Sequence, residues 1–269
     1  MSTIAETTLD AAPSAGEWFD GRPSPMPFMR LLRVQLRVWG GQRGIVWITV
    51  VALAVGLGAI VFGPGMPDKA DPTATDVKTG VVTASFGFLL LWMAIGVLAG
   101  AAPFRSGWLG MILSVAPRRL RWFAASYVSI IAWAVAGTVV FGAFGWAAVT
   151  ALLVSNGDDL SAGTGVLTAL PAIGSKILLD TTVGFVLGSA VRGVAMPLMA
   201  GYVGAGIVPA FAGPSHNLSR LADLNAATDA VTSMRAPSSG IGPVIAALVL
   251  WMVIPAVIAA LRLRRSALR

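Results

Sequence analysis

The sequence predicts an all-α, polytopic membrane protein with six transmembrane helices and both termini in the cytoplasm. Three observations carry that prediction. The 269-residue chain is 56% hydrophobic and only 12% charged, whereas a soluble domain carries roughly 25% charged residues. Its charges collect between long apolar runs, most of them close to the roughly 20 residues that a helix needs to cross a bilayer. Its basic residues fall on alternate connectors, as the positive-inside rule requires.

Residues 1–25 are small and polar, with Glu6, Asp10, Glu17 and Asp20. No basic start precedes an apolar core, so they do not read as a secretory signal. A disordered cytoplasmic tail is expected. Residues 26–40 differ: at helical spacing Arg30, Arg33 and Arg37 form one stripe, and Met29, Leu32, Leu36 and Trp39 lie on another side. Such a helix either rests in the headgroup layer, arginines toward phosphate, or extends the first span; the Gly40-Gly41 pair favours an interfacial helix.

Residues 41–269 are read as one six-helix transmembrane domain. Spans are expected at about 45–62, 81–102, 123–154, 168–191, 194–211 and 241–261. The first closes at Gly63-Pro64, a stop signal. The third exceeds one crossing and must tilt, project beyond the lipid or kink near Gly137, Gly142 or Gly145. The fourth is interrupted by Pro171, Gly174, Lys176 and Asp180. Gly96-Gly100 and Gly184-Gly188 are GxxxG pairs, which let helix backbones approach in lipid but arise readily in so glycine-rich a chain. Residues 213–240 are polar; Leu218, Leu221, Leu224 and Val231 give an amphipathic pattern that fits a surface helix or a gate at the outer mouth.

Orientation follows from the basic residues. Fourteen of the 19 lie before the first span, between spans two and three, at Arg192 or after the last span. With both termini inside, all of these are cytoplasmic. The net charge of +7 is therefore spread over run ends and does not form a nucleic-acid-binding surface. The segment 103–122, PFRSGWLGMILSVAPRRLRW, carries Arg105, Arg118, Arg119 and Arg121 with no acid around an apolar middle. It reads as a cytoplasmic connector helix, with Trp108, Met111 and Leu113 as apolar anchors and Arg105, Arg118 and Arg119 as docking charges.

Catalytic and metal motifs are missing from the sequence. It has no cysteine, a single histidine (His216) and no GxxxxGK[ST] phosphate loop. HExxH sites, thiolate metal sites and P-loop nucleotide binding are thereby excluded, and neither an enzyme nor a bound cofactor is expected. Lys176 and Asp180, spaced i, i+4, share a helix face inside the fourth span. A start near Leu170 would put them in its outer third. They are read either as a structural pair or as a substrate- or ion-contacting site.

The stretch from Gly96 to Leu120, GVLAGAAPFRSGWLGMILSVAPRRL, resembles the second-span-to-connector signature of ABC-type permeases of the type-2 exporter class (ABC-2). Phe104, Arg105, Gly107, Pro117, Arg118 and Arg119 carry the likeness; Pro103 stands where that family usually has glutamate, and Trp108 where threonine is common. The arginine-bearing 26–40 helix, the GFVLGSAVRG turn at 184–193 and the terminal arginine cluster are similar to the family's in order. The resemblance implies a permease in a bacterial inner (plasma) membrane that exports an amphiphilic, drug-like, lipid or peptide substrate. It implies pairing with a second permease chain, identical or different, and with two ATPase subunits that bind ATP and Mg. The 103–122 helix would couple them. An ion-coupled secondary transporter using Lys176 and Asp180, or a non-transporting immunity or sensor subunit, are the other readings.

Overall fold

The computed structural model describes residues 27–62, 72–105, 119–203 and 241–265. These are almost entirely helical, with no strand among them. In chain order they form α1 (Phe28–Gly41), α2 (Arg43–Phe62), α3 (Ala74–Arg105), α4 (Arg119–Asn156), a 3-10 turn (Leu160–Gly163), α5 (Thr164–Val191) and α6 (Ala195–Tyr202). α7 (Ile241–Leu248) and α8 (Ile254–Arg265) follow, joined by a π-helical turn (Val249–Val253). Pro255 explains that turn, since proline offers no N–H and crowds the preceding turn of an α-helix. The tail 1–25, the connector residues Trp108, Met111, Leu113 and Arg118, and the 213–240 segment lie outside the described residues.

Four stretches are long and apolar enough to cross a membrane: Arg43–Val61, Leu120–Asn156, Leu160–Val191 and Ile241–Leu263. Their outward faces expose Trp47, Val139, Phe144, Ile245 and Val257, apolar surface that lipid and not water would cover. The chain is therefore a multi-pass helical membrane protein. Of the expected fifth span, 194–211, only the α6 portion is described.

Several boundaries differ from the sequence expectation. The second helix starts before position 81, at Ala74, because Thr73 and Asp76 form a capping box. The Thr73 hydroxyl accepts from Asp76 N at 3.3 Å, and Asp76 Oδ2 accepts from Thr73 N at 3.2 Å. The break after α1 falls at Gln42 and not at Gly40-Gly41; Gln42 N–H caps Val38 O and Trp39 O, both at 3.1 Å. α5 runs unbroken through Pro171, Gly174, Lys176 and Asp180. Its start at Thr164 rather than Leu170 moves Lys176 and Asp180 from the outer third to roughly its midpoint.

The closest packing joins α3 to α5. A Cβ on Gly96 would overlap Thr181 O, and one on Gly100 would overlap Phe185 O. From the other side, a Cβ on Gly184 would overlap Met93 O and one on Gly188 would overlap Val97 O. The two GxxxG pairs therefore face each other, each receiving the other helix's backbone. Gly165 repeats the arrangement near the start of α3, against Ala74 O and Val77 Cβ. Contacts advance together along both chains, so α3 and α5 are parallel. That is the arrangement required when a single crossing, α4, lies between them.

α4 is antiparallel to α5. Phe123 and Tyr127 pack on Phe185, with ring centroids 5.2 and 5.6 Å apart, and Tyr127 Oη lies 3.1 Å from Thr182 Oγ1. Toward the far end Gly142 faces Leu170. Indole hydrogen bonds tie α4 to the first two helices: Trp39 Nε1 donates to Ser129 Oγ at 2.6 Å and Trp133 Nε1 to Thr49 Oγ1 at 3.1 Å. At 38 residues α4 is about 57 Å long and exceeds a bilayer core of about 30 Å. It is assigned as one unbroken helix, and Gly137, Gly142 and Gly145 serve as seats for Trp92, Leu170 and Ile60.

α4 ends in a Schellman motif. Gly157 adopts φ 78°, Gly157 N–H bonds Val154 O at 3.3 Å and Asp158 N–H bonds Leu153 O at 2.9 Å. Asp159 then caps the 3-10 turn, accepting from Ser161 N at 2.9 Å and Ser161 Oγ at 2.6 Å. These two bonds hold the exposed Asp159 carboxyl below its ordinary value of 3.8.

Two predictions follow from this packing. Gly184→Val should lower the thermal unfolding midpoint in detergent, at a cost of about 1–3 kcal/mol or more. Gly58→Ala, with nothing within 4 Å of the new atom, should leave it level or raise it; equal losses at both positions would refute the role given to the α3–α5 contact. The Asp159 cap favours the ionised form, so its contribution is present above pH 3.8 and disappears as pH falls through the lowered value. Hydrogen-exchange protection of the Ser161 amide should follow that course in the wild type and be low at every pH in Asp159→Ala.

Candidate functional site

Charge divides the described bundle into two ends. Asp76 starts α3, and Asp158 and Asp159 lie between α4 and α5. The opposite end gathers Arg43 at the start of α2, Arg105 at the end of α3, Arg119 and Arg121 at the start of α4, Arg192 after α5 and Arg262 in α8. No acidic residue lies at that end among the described residues. α2 and α4 run one way and α3, α5 and α8 the other, so the starts of the first two meet the ends of the other three, although these positions are distant in sequence.

Arg192 locks this end. It is the one non-glycine residue with positive φ (61°) among the described residues, a left-handed conformation that disfavours ordinary side chains. Its N–H caps Gly188 O at 2.9 Å. Its guanidinium lies 4.9 Å from the Phe104 ring centroid, a cation–π contact, and Nη2 donates to Arg262 O at 3.1 Å. Arg262 Nη1 in turn donates to Ala190 O. The last turns of α3, α5 and α8 are thus joined, and the connector leaves from the residue directly after Phe104, Arg105. The sequence reading took Arg192 as a turn residue, Phe104 as part of the family likeness and Arg262 as one of the terminal arginines, and did not bring them together; their contact depends on helices meeting, for which no local signal exists.

Beside Arg105 a cleft of about 470 Å³ opens between the α1–α2 elbow and α3, lined by Gln42, Arg43, Gly44, Ile45, Leu98 and Ala102. Arg119 opens α4 where the connector returns. On α1, Arg30, Arg33 and Arg37 are exposed, as a stripe. The buried line is Leu31, Gln35 and Trp39, while Met29 is 72% exposed. Trp39 points into the protein, 1% exposed, and its bond to Ser129 fixes α1 against α4. The sequence reading did not single out Gln35, a polar residue that is nonetheless 3% exposed.

Lys176 and Asp180 are 6% and 7% exposed and sit mid-helix on one face of α5. Neither end of the helix is near enough for the lysine to snorkel. Two ionisable groups are thus kept inside the bundle, where each carries a desolvation cost.

No protein-family model, curated protein or solved structure matches this chain.

A double-mutant cycle tests whether the two buried groups act together. Lys176→Met and Asp180→Leu should each destabilise by about 3 kcal/mol or more, and the double variant should cost less than their sum. Additive losses would mean two independent sites.

Proposed function

We propose that this chain is the membrane-spanning subunit of an ATP-driven exporter of the ABC-2 type. It would cross the membrane six times with both termini in the cytoplasm. The observation that carries this reading is the position of Arg105 and Arg119, the two residues between which residues 106–118 run. Both belong to the arginine-rich end of the bundle, which holds no acidic residue among the described residues, the end that the positive-inside rule assigns to the cytoplasm. A cytoplasmic ATPase would meet the connector there, with Trp108, Met111 and Leu113 as anchors and Arg105, Arg118 and Arg119 as docking charges. ATP and Mg would belong to two such ATPase subunits. A second permease chain would complete the path for an amphiphilic substrate.

Mechanical coupling in this scheme uses the ties already described. Movement of the connector pulls on the end of α3 at Arg105 and the start of α4 at Arg119. Phe104–Arg192–Arg262 links the first of these to α5 and α8, and Tyr127–Thr182 links α4 to α5. A push from below would therefore reach α3, α5 and α8 through Arg105 and α4 through Arg119. Their displacement would supply the kind of two-state rearrangement that alternating access needs.

The buried Lys176 and Asp180 favour one second reading, an ion-coupled carrier in which Asp180 changes protonation during transport. The two readings part on ATPase dependence.

Arg118→Glu with Arg119→Glu should abolish ATPase co-purification and substrate-stimulated hydrolysis while membrane insertion persists. Orientation is checked by single-cysteine labelling in this cysteine-free chain. Unchanged association and transport would remove the connector from its role. Transport by the purified chain alone in liposomes, lost in Asp180→Asn, would establish the carrier instead.

A further inference from the structure

The geometry points to a binding site for the headgroup of one acidic phospholipid in the cleft between the α1–α2 elbow and the end of α3. Two guanidinium groups from separate helices, Arg43 and Arg105, flank a space of about 470 Å³. Among the described residues neither arginine makes a hydrogen bond or ion pair, and no carboxylate lies at this end to neutralise them. A guanidinium fork suits a phosphodiester. The cleft also receives the start of α2, where Gln42 O accepts from Val46 N at 3.1 Å. The N–H groups of Arg43, Gly44 and Ile45 precede that bond, so they are the donors a helix start offers to an anion.

The rest of the lining identifies the source of the phosphate. Ile45, Leu98 and Ala102 form an apolar wall that the first methylenes of an acyl chain would cover. A soluble phosphate would leave this wall wet. A zwitterionic headgroup would bring an ammonium against two guanidinium groups. Acidic phospholipid satisfies both halves, and the cleft lies at the end of the bundle where a leaflet surface falls. Bound lipid would brace the elbow against α3 beside the residue from which the connector departs.

The inference rests on the membrane-spanning character of the chain and not on the exporter assignment. Loss of ATPase coupling would leave lipid retention unaffected, so the two fail separately.

Native mass spectrometry of the full chain in detergent, with equal phosphatidylglycerol and phosphatidylcholine added, tests it. One phosphatidylglycerol should be retained in preference. Arg43→Gln with Arg105→Gln should weaken retention about 30-fold, and Leu98→Trp, which fills the cleft with the charges intact, should also displace the lipid. Arg121→Gln at the same end should not. Equal retention of phosphatidylcholine, or retention of phosphatidylglycerol by Leu98→Trp, would overturn the proposal even if the double variant proved misfolded. Displacement by millimolar glycerol phosphate would assign the cleft to a soluble anion and overturn it equally.

Discussion

Everything in this bundle hangs on the interlocking backbones of α3 and α5. In lipid, apolar side chains gain little by leaving their solvent, so helices associate through close packing and hydrogen bonds. Gly96, Gly100, Gly184 and Gly188 remove the side chains that would hold the two helices apart, and each admits a carbonyl of the opposite strand of the crossing. Ser189 Oγ, bonded to its own Phe185 O at 2.7 Å, also reaches Gly100 O at 3.3 Å. Larger side chains then pack around this seam: Trp92 over Gly137 of α4, and Met93 over Gly201 of α6. One close approach thereby sets the places of two further helices.

The second organising feature is electrostatic. Among the described residues the arginine-rich end has no carboxylate to consume its charge, so it is held by other means. Arg192 uses an aromatic face and a carbonyl, and Arg262 uses a carbonyl. Such contacts satisfy donors and leave the positive charge in place, available to phosphate groups of a leaflet or to an acidic partner. The same end carries Arg105 and Arg119, so the charge that orients the protein also surrounds the point where a cytoplasmic motor would act. In the proposed exporter, orientation and coupling would share one set of residues.

Much of the architecture was legible in the amino-acid order. Apolar runs separated by clustered charges announced crossing helices, because hydrocarbon tolerates only backbone that satisfies its own hydrogen bonds. The turn at Arg192 and the exposed stripe of Arg30, Arg33 and Arg37 were likewise local signals. What misled were residues with two physical meanings. Glycines in α4 were read only as possible bend points and also receive Trp92, Leu170 and Ile60. Pro171 looked like an interruption, yet α5 continues through it, with Ser175 Oγ bonding Pro171 O at 2.7 Å and Ala172 O at 2.9 Å. The expected start at 81 overlooked Thr73 and Asp76, whose spacing is that of a helix cap.

The sequence by itself determined that this protein is helical and built for a membrane, and where its positive charges cluster, because hydropathy and charge act over short stretches of chain. Only the tertiary structure decided which glycine pairs meet, that Trp39 and Gln35 turn inward, that Lys176 and Asp180 lie mid-helix, and that Arg43 and Arg105 face one cleft. Those outcomes depend on distances between helices far apart in sequence, and side-chain type alone carries no information about which neighbour will arrive.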